Sequence, residues 1–149
     1  MKIAILDAWS EEDPALVNSH WVAEQTRDVL LRHGFDVEVI ADELDRATVR
    51  QQFDAPHDGF AYFGHGRDHV LYRDLGENGR PIALVDADDV SLIGDRWMHA
   101  FACLSGNTLC FHAADAGIAA YFGLASFAVN VEWEISGSPE QLRGSWQSS

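Results

Sequence analysis

Short apolar runs that each stop at a polar or glycine-containing turn constrain this chain more than any other feature. Lys2–Leu6 is apolar after its lysine and stops at Asp7, Gly59–Gly64 runs into His65-Gly66, and Trp97–Ala102 runs into Cys103. Runs this short, with little period-two alternation, suit strands buried on both faces, which is how a parallel sheet covered by helices reads in sequence. The intervening segments have helical character. Asp13-Pro14 puts a capping carboxylate ahead of a proline at the first helical position, apolar residues recur at Val22, Val29 and Leu30, and Gly34 stops the pattern. A helix over about 14–33 follows.

The rest of the chain extends this alternation with one interruption. Phe35–Ile40 alternates as a second strand, and Asp42 is expected to cap a shorter helix through Leu44, Val49 and Phe53. Between the third and fourth strands, Val70-Leu71-Tyr72 and Ile82–Val85 flank Gly76-Glu77-Asn78-Gly79, the pattern of a small hairpin. Asp86 to Asp89 then caps a helix containing Val90, Leu92 and Ile93. The alanine-rich run from His112 to Phe122 reads as a helix stopped by Gly123, with Gly117 weakening it by ~1 kcal/mol. Ser126–Val131 reads as a fifth strand, and about 136–149 as a loop or tail. At 149 residues and 47% apolar content, one domain over 1–149 is expected.

Composition narrows the partners. A formal net charge of −14 repels nucleic acid phosphates and anionic lipid surfaces and favours basic peptides or cations at low salt. No apolar run approaches the ~20 residues needed to cross a bilayer, and the start turns polar too early for a secretory signal, so a cytoplasmic protein is expected. Two cysteines, Cys103 and Cys110, form neither a C-x-x-C pair nor a disulfide framework, which suits a reducing compartment.

The chemistry-bearing positions follow from the strand ends. In a parallel sheet all carboxyl ends open on one side, so residues just past neighbouring strands meet over a shared crevice. His65 and Cys103 are both so placed. A thiol needs a nearby base or cation to become a good nucleophile, and an imidazole within reach also protonates the leaving amine. Gly64-His65-Gly66 and Cys103-Leu104-Ser105-Gly106 are glycine-containing turns that let a carbonyl approach the backbone, where the N–H groups of Gly66 and Cys103 would form an oxyanion hole.

On these residues the chain resembles the caspase-like cysteine peptidases, especially their bacterial CHAT branch. The resemblance is carried by Tyr62-Phe63-Gly64-His65-Gly66, a hairpin, a capped helix, and Phe101-Ala102-Cys103-Leu104-Ser105-Gly106, and it covers roughly residues 1–135. It implies a three-layer α-β-α caspase-like (caspase-haemoglobinase) fold with Cys103 as nucleophile and His65 as general acid/base, no cofactor and no metal. It also implies a protein or peptide substrate, regulation by homodimerisation or an activating partner, and a role in bacterial defence or regulated cell death. By the same resemblance the first-position pocket draws on Phe101 and on the segment with Glu132, Trp133 and Glu134. Phe101 departs from the Gln or Glu common there, which disfavours aspartate specificity. Glu132 or Glu134 would pair with an arginine or lysine side chain, with Trp133 as a wall.

Competing readings exist for several residues. His65 and His69 stand four apart, a metal-pair spacing only on a helix, whereas Gly66 after a strand argues for a turn. Asp86, Asp88 and Asp89 resemble a calcium cluster but lack a downstream glutamate at the required position, so capping is expected. His57, His99 and His112 are expected to be structural, and Cys110 a buried or loop thiol. The whole-chain alternatives are a non-catalytic flavodoxin-like or receiver-type module and a pseudo-peptidase. A receiver needs an aspartate where His65 stands, and a nucleotide binder needs a glycine-rich loop where Asp7-Ala8-Trp9-Ser10 stands.

Overall fold

The computed structural model describes residues 1–126. Five strands form one sheet: β1 (Lys2–Asp7), β2 (Asp36–Ile40), β3 (Gly59–Phe63), β7 (Trp97–Phe101) and β8 (Ala120–Gly123), in the order β2-β1-β3-β7-β8 with every pairing parallel. A second, antiparallel sheet of β4 (His65–Arg67), β5 (Val70–Leu75) and β6 (Pro81–Asp86) lies between β3 and β7 in the chain. The helices are α1 (Pro14–Arg32), α2 (Arg46–Asp54), α3 (Ala87–Val90), which runs on into a single 3₁₀ turn, and α4 (Leu109–Asp115). Among the described residues no helix is long and apolar enough to cross a membrane.

Side-chain alternation along the strands sorts the helices onto two faces. Ile5, Ala61, Phe63 and Phe101 pack with Val22, Ala23 and Leu30 of α1, while Leu6, Phe60, Tyr62, Met98 and Ala100 pack with α2, α3 and α4 on the other side. Leu71, Leu84 and Val85 of the small sheet join this second, larger core. Arg96 ties the layers together. Its guanidinium donates to the carbonyls of Phe53 and Ala55 at the end of α2 and lies 4.9 Å over the Phe60 ring.

Several boundaries differ from the sequence expectation. The cap of α2 is Asp45, which accepts from the Thr48 N–H at 2.7 Å, rather than Asp42. Leu44 before it and Val49 at the fourth helical position both enter the core, the arrangement of a hydrophobic staple. The alanine-rich helix does not reach Phe122. Gly117 takes φ +78°, the Gly117 N–H donates to the Ala114 carbonyl and the Ile118 N–H to that of Ala113, a Schellman stop. Helix α4 therefore ends at Asp115, and Ala120–Gly123 is a strand paired with β7. The expected strand over Ser126–Val131 lies, beyond Ser126, outside the described residues, as does the tail. The hairpin was expected, but its third strand, β4, was not. The aspartates Asp86 and Asp89 form a reciprocal capping box on α3.

Candidate active site

Strand order fixes where the crevice opens. The chain leaves β1 through α1 toward β2 on one side, and leaves β3 through the small sheet toward β7 on the other, so the carboxyl ends of β1 and β3 bracket a topological switch point. Strand β7 is the next neighbour. Phe63 pairs with Phe101, so His65 and Cys103 each stand two residues past the same rung of adjacent parallel strands. Parallel strands lie about 4.8 Å apart, and His65 itself opens β4, pairing with Tyr72 in the second sheet.

The turn at Cys103 is tightly built. Leu104 adopts φ +55°, a left-handed conformation that costs a non-glycine residue about 1–2 kcal/mol and is concentrated at functional turns. Ser105 is fully buried. Its hydroxyl lies 2.6 Å from the Ala102 carbonyl and 3.1 Å from that of Ala100, and accepts the Leu124 N–H at 3.1 Å. Gly66 is buried against this turn, where an added Cβ would stand 2.5 Å from the Cys103 carbonyl oxygen. Only glycine fits there. Cys103 is half-buried and not in a disulfide, and Cys110, in the first turn of α4, directs its thiol at the Gly106 carbonyl at 2.8 Å.

His65 is held from three directions. Its Nε2 lies 2.6 Å from Oδ2 of Asp13, its ring stacks on Tyr72 with centroids 5.3 Å apart, and its carbonyl accepts from the Tyr62 hydroxyl at 3.1 Å. Burial pushes the Tyr62 phenol well above its ordinary value, so it stays a neutral donor. Asp13 also accepts the Ala15 N–H at 3.0 Å as the cap of α1. Partial burial opposes its ionisation, but the hydrogen bonds from His65 and from the first turn of α1 outweigh this and hold its carboxyl below the usual range. A cleft of about 310 Å³ adjoins the ring, with Asp13, Leu16, Tyr72 and Leu75 among its walls.

A second aspartate–histidine pair sits beside the first. Asp7, at the end of β1, is 1% exposed, and its Oδ2 lies 2.5 Å from Nδ1 of His20, whose ring stacks on Trp9. Desolvation raises the Asp7 pKa, against the lowering influence of His20. His20 and Asp13 are seven apart, two turns on α1, which is why one helix serves both aspartate–histidine pairs.

The site residues proposed from sequence therefore divide. Gly66 packs against the Cys103 turn, while His65, next to it in the chain at the start of β4, turns its ring to Asp13 and Tyr72. Phe101 is half-buried and packs its ring on Phe63 at 5.9 Å, within the core beneath α1. Glu132, Trp133 and Glu134 lie outside the described residues. Asp13, Tyr72 and Ser105 were not anticipated in these roles. Asp86 and Asp89 bind Arg46, and Asp89 also binds Arg50, so both carboxylates have protein partners. Among the described residues no group of three or more His, Cys, Asp or Glu side chains is arranged to hold a metal ion. No protein-family model matches the chain, and a search of curated proteins finds no match.

Proposed function

We propose that this chain is a caspase-like cysteine peptidase domain that cleaves peptide bonds with Cys103 and His65. One observation carries the reading: a histidine and a cysteine each follow by two residues the last shared rung of laterally adjacent parallel strands, beside a strained turn at the carboxyl edge of the sheet. In this mechanism the Cys103 thiolate attacks the scissile carbonyl carbon, and the backbone N–H groups of Gly66 and Cys103 receive the developing oxyanion. The C–N bond then breaks as His65 gives its proton to the leaving amine, leaving a thioacyl-enzyme. Water, losing its proton to His65, attacks that thioester and releases the acid product and the free thiol.

The substrate would be a protein or peptide cut after arginine or lysine, with Glu132, Trp133 and Glu134 as the first-position contacts; Phe101, expected there too, instead packs on Phe63 beneath α1. Its setting would be cytoplasmic, in bacterial defence or regulated cell death, with a second copy or a partner protein as the activating signal. The acidic net charge supports basic substrates over nucleic acid or anionic membranes.

The test is labelling by a peptide electrophile together with hydrolysis of a positional-scanning peptide library. Wild type and Cys110→Ala should label and cleave, while Cys103→Ala should do neither. Labelling that persists in Cys103→Ala would remove the nucleophile assignment. A wild-type chain that neither labels nor cleaves would leave a non-catalytic module.

A further inference from the structure

We infer that Asp13 is a positioning residue for His65: its carboxylate fixes the neutral imidazole as the Nε2–H tautomer, leaving Nδ1 as the ring nitrogen that accepts a proton. The catalytic consequence rests on the peptidase reading above, whereas the position of the ring proton is a property of the folded chain whatever it does. An ionised carboxylate only accepts hydrogen bonds, so Oδ2 of Asp13 at 2.6 Å from Nε2 requires the hydrogen on that nitrogen. The carboxylate is itself immobilised. Its other oxygen takes the Ala15 N–H at 3.0 Å, so the start of α1 and the imidazole are joined through one side chain.

Other side chains gather around the imidazole. Tyr72 faces the imidazole flat, and Arg67 lies over the far ring of that stack at 5.6 Å. Arg73 and Asp74 of β5 line the same cleft, paired with each other at 2.8 Å, and Glu12 lines it from the loop before α1. Among the described residues no other carboxylate bonds to the His65 ring. The general logic is that of a serine-protease triad, in which a buried carboxylate sets the tautomer and orientation of the histidine without itself being protonated.

Asparagine separates this role from helix capping, because its side-chain oxygen caps about as well as that of aspartate. In Asp13→Asn, with the oxygen kept on the Ala15 N–H, the amide NH₂ faces Nε2 and draws the ring proton to Nδ1. Imidazole ¹⁵N NMR on the full chain should therefore show Nε2–H for neutral His65 in wild type and a shift toward Nδ1–H in Asp13→Asn. Peptide hydrolysis in the variant should lose roughly 100-fold or more in kcat with KM within about threefold, a loss of the kind that follows from a wrong tautomer. Asp45→Asn, the equivalent change at the cap of α2, should alter neither reading. An Nδ1–H tautomer in wild type, or an unchanged tautomer in Asp13→Asn, overturns the assignment. A tautomer shift in a chain whose wild type cleaves nothing upholds Asp13 as the positioning residue and removes the peptidase reading instead.

Discussion

Ser105 shows how much of a candidate active site is held by groups that do no chemistry. It is fully buried, and its hydroxyl ties two carbonyls before the Cys103 turn to the Leu124 N–H after β8. Ser105→Ala leaves that part-buried N–H without its partner, a loss of about 1 kcal/mol. Denaturant melts should report this, and the electrophile should label Cys103 more slowly because the left-handed turn at Leu104 relaxes. Unchanged melts and labelling rates would make Ser105 a bystander. At this scale the placement of His65, Gly66 and Cys103 just past two strand ends was legible in the sequence, because each follows an apolar run whose end can be seen locally. It did not show Asp13 meeting His65, since the partners are 52 residues apart and capping already accounted for the aspartate.

At the scale of elements, an ion-pair cluster joins α2 to the start of α3. Asp89 has no exposed side-chain area, receives Arg50 at 2.5 Å and Arg46 at 3.0 Å, and also accepts the Asp86 N–H. Burial alone would raise its pKa, but the backbone bond and both guanidinium groups hold it below the ordinary carboxylate value. A lowered folded pKa gives stability that is fully present above the unfolded value and is lost as pH falls through the folded one. Asp89→Asn should therefore cost roughly 2–3 kcal/mol near neutral pH, below the usual figure for a broken buried pair because both arginines are partly exposed. Thermal melts should show the gap between variant and wild type closing below about pH 4; a gap that persists there would mean that packing dominates. The capping role of these aspartates was legible from sequence. Their arginine partners were not, because α2 and α3 meet only through tertiary packing. The end of α4 was misjudged for a related reason: alanine favours helix, and only the geometry at Gly117 reveals that the run divides into a helix and a strand.

Across the whole molecule, the α/β alternation and the central hairpin could be read in the chain, but the lateral order of the strands could not. Nothing local indicates that β3 and β7 lie side by side with a second sheet inserted between them in sequence, although the proposed pairing of His65 with Cys103 depends on it. The same ladder begins at Gly59 and Trp97, where the indole covers the glycine so closely that an added Cβ would stand 2.0 Å from the ring. The chain thus carries an optical gauge at the opposite end of the ladder from the proposed Cys103–His65 pair. In a denaturant titration, the emission difference between wild type and Trp97→Phe should pass from its folded to its unfolded value at the concentration where the electrophile labelling proposed for Cys103 is lost. Separate midpoints would mean that the far rungs open independently. Coincident ones would let a spectroscopist watch the support of the Cys103 turn come apart without touching the thiol.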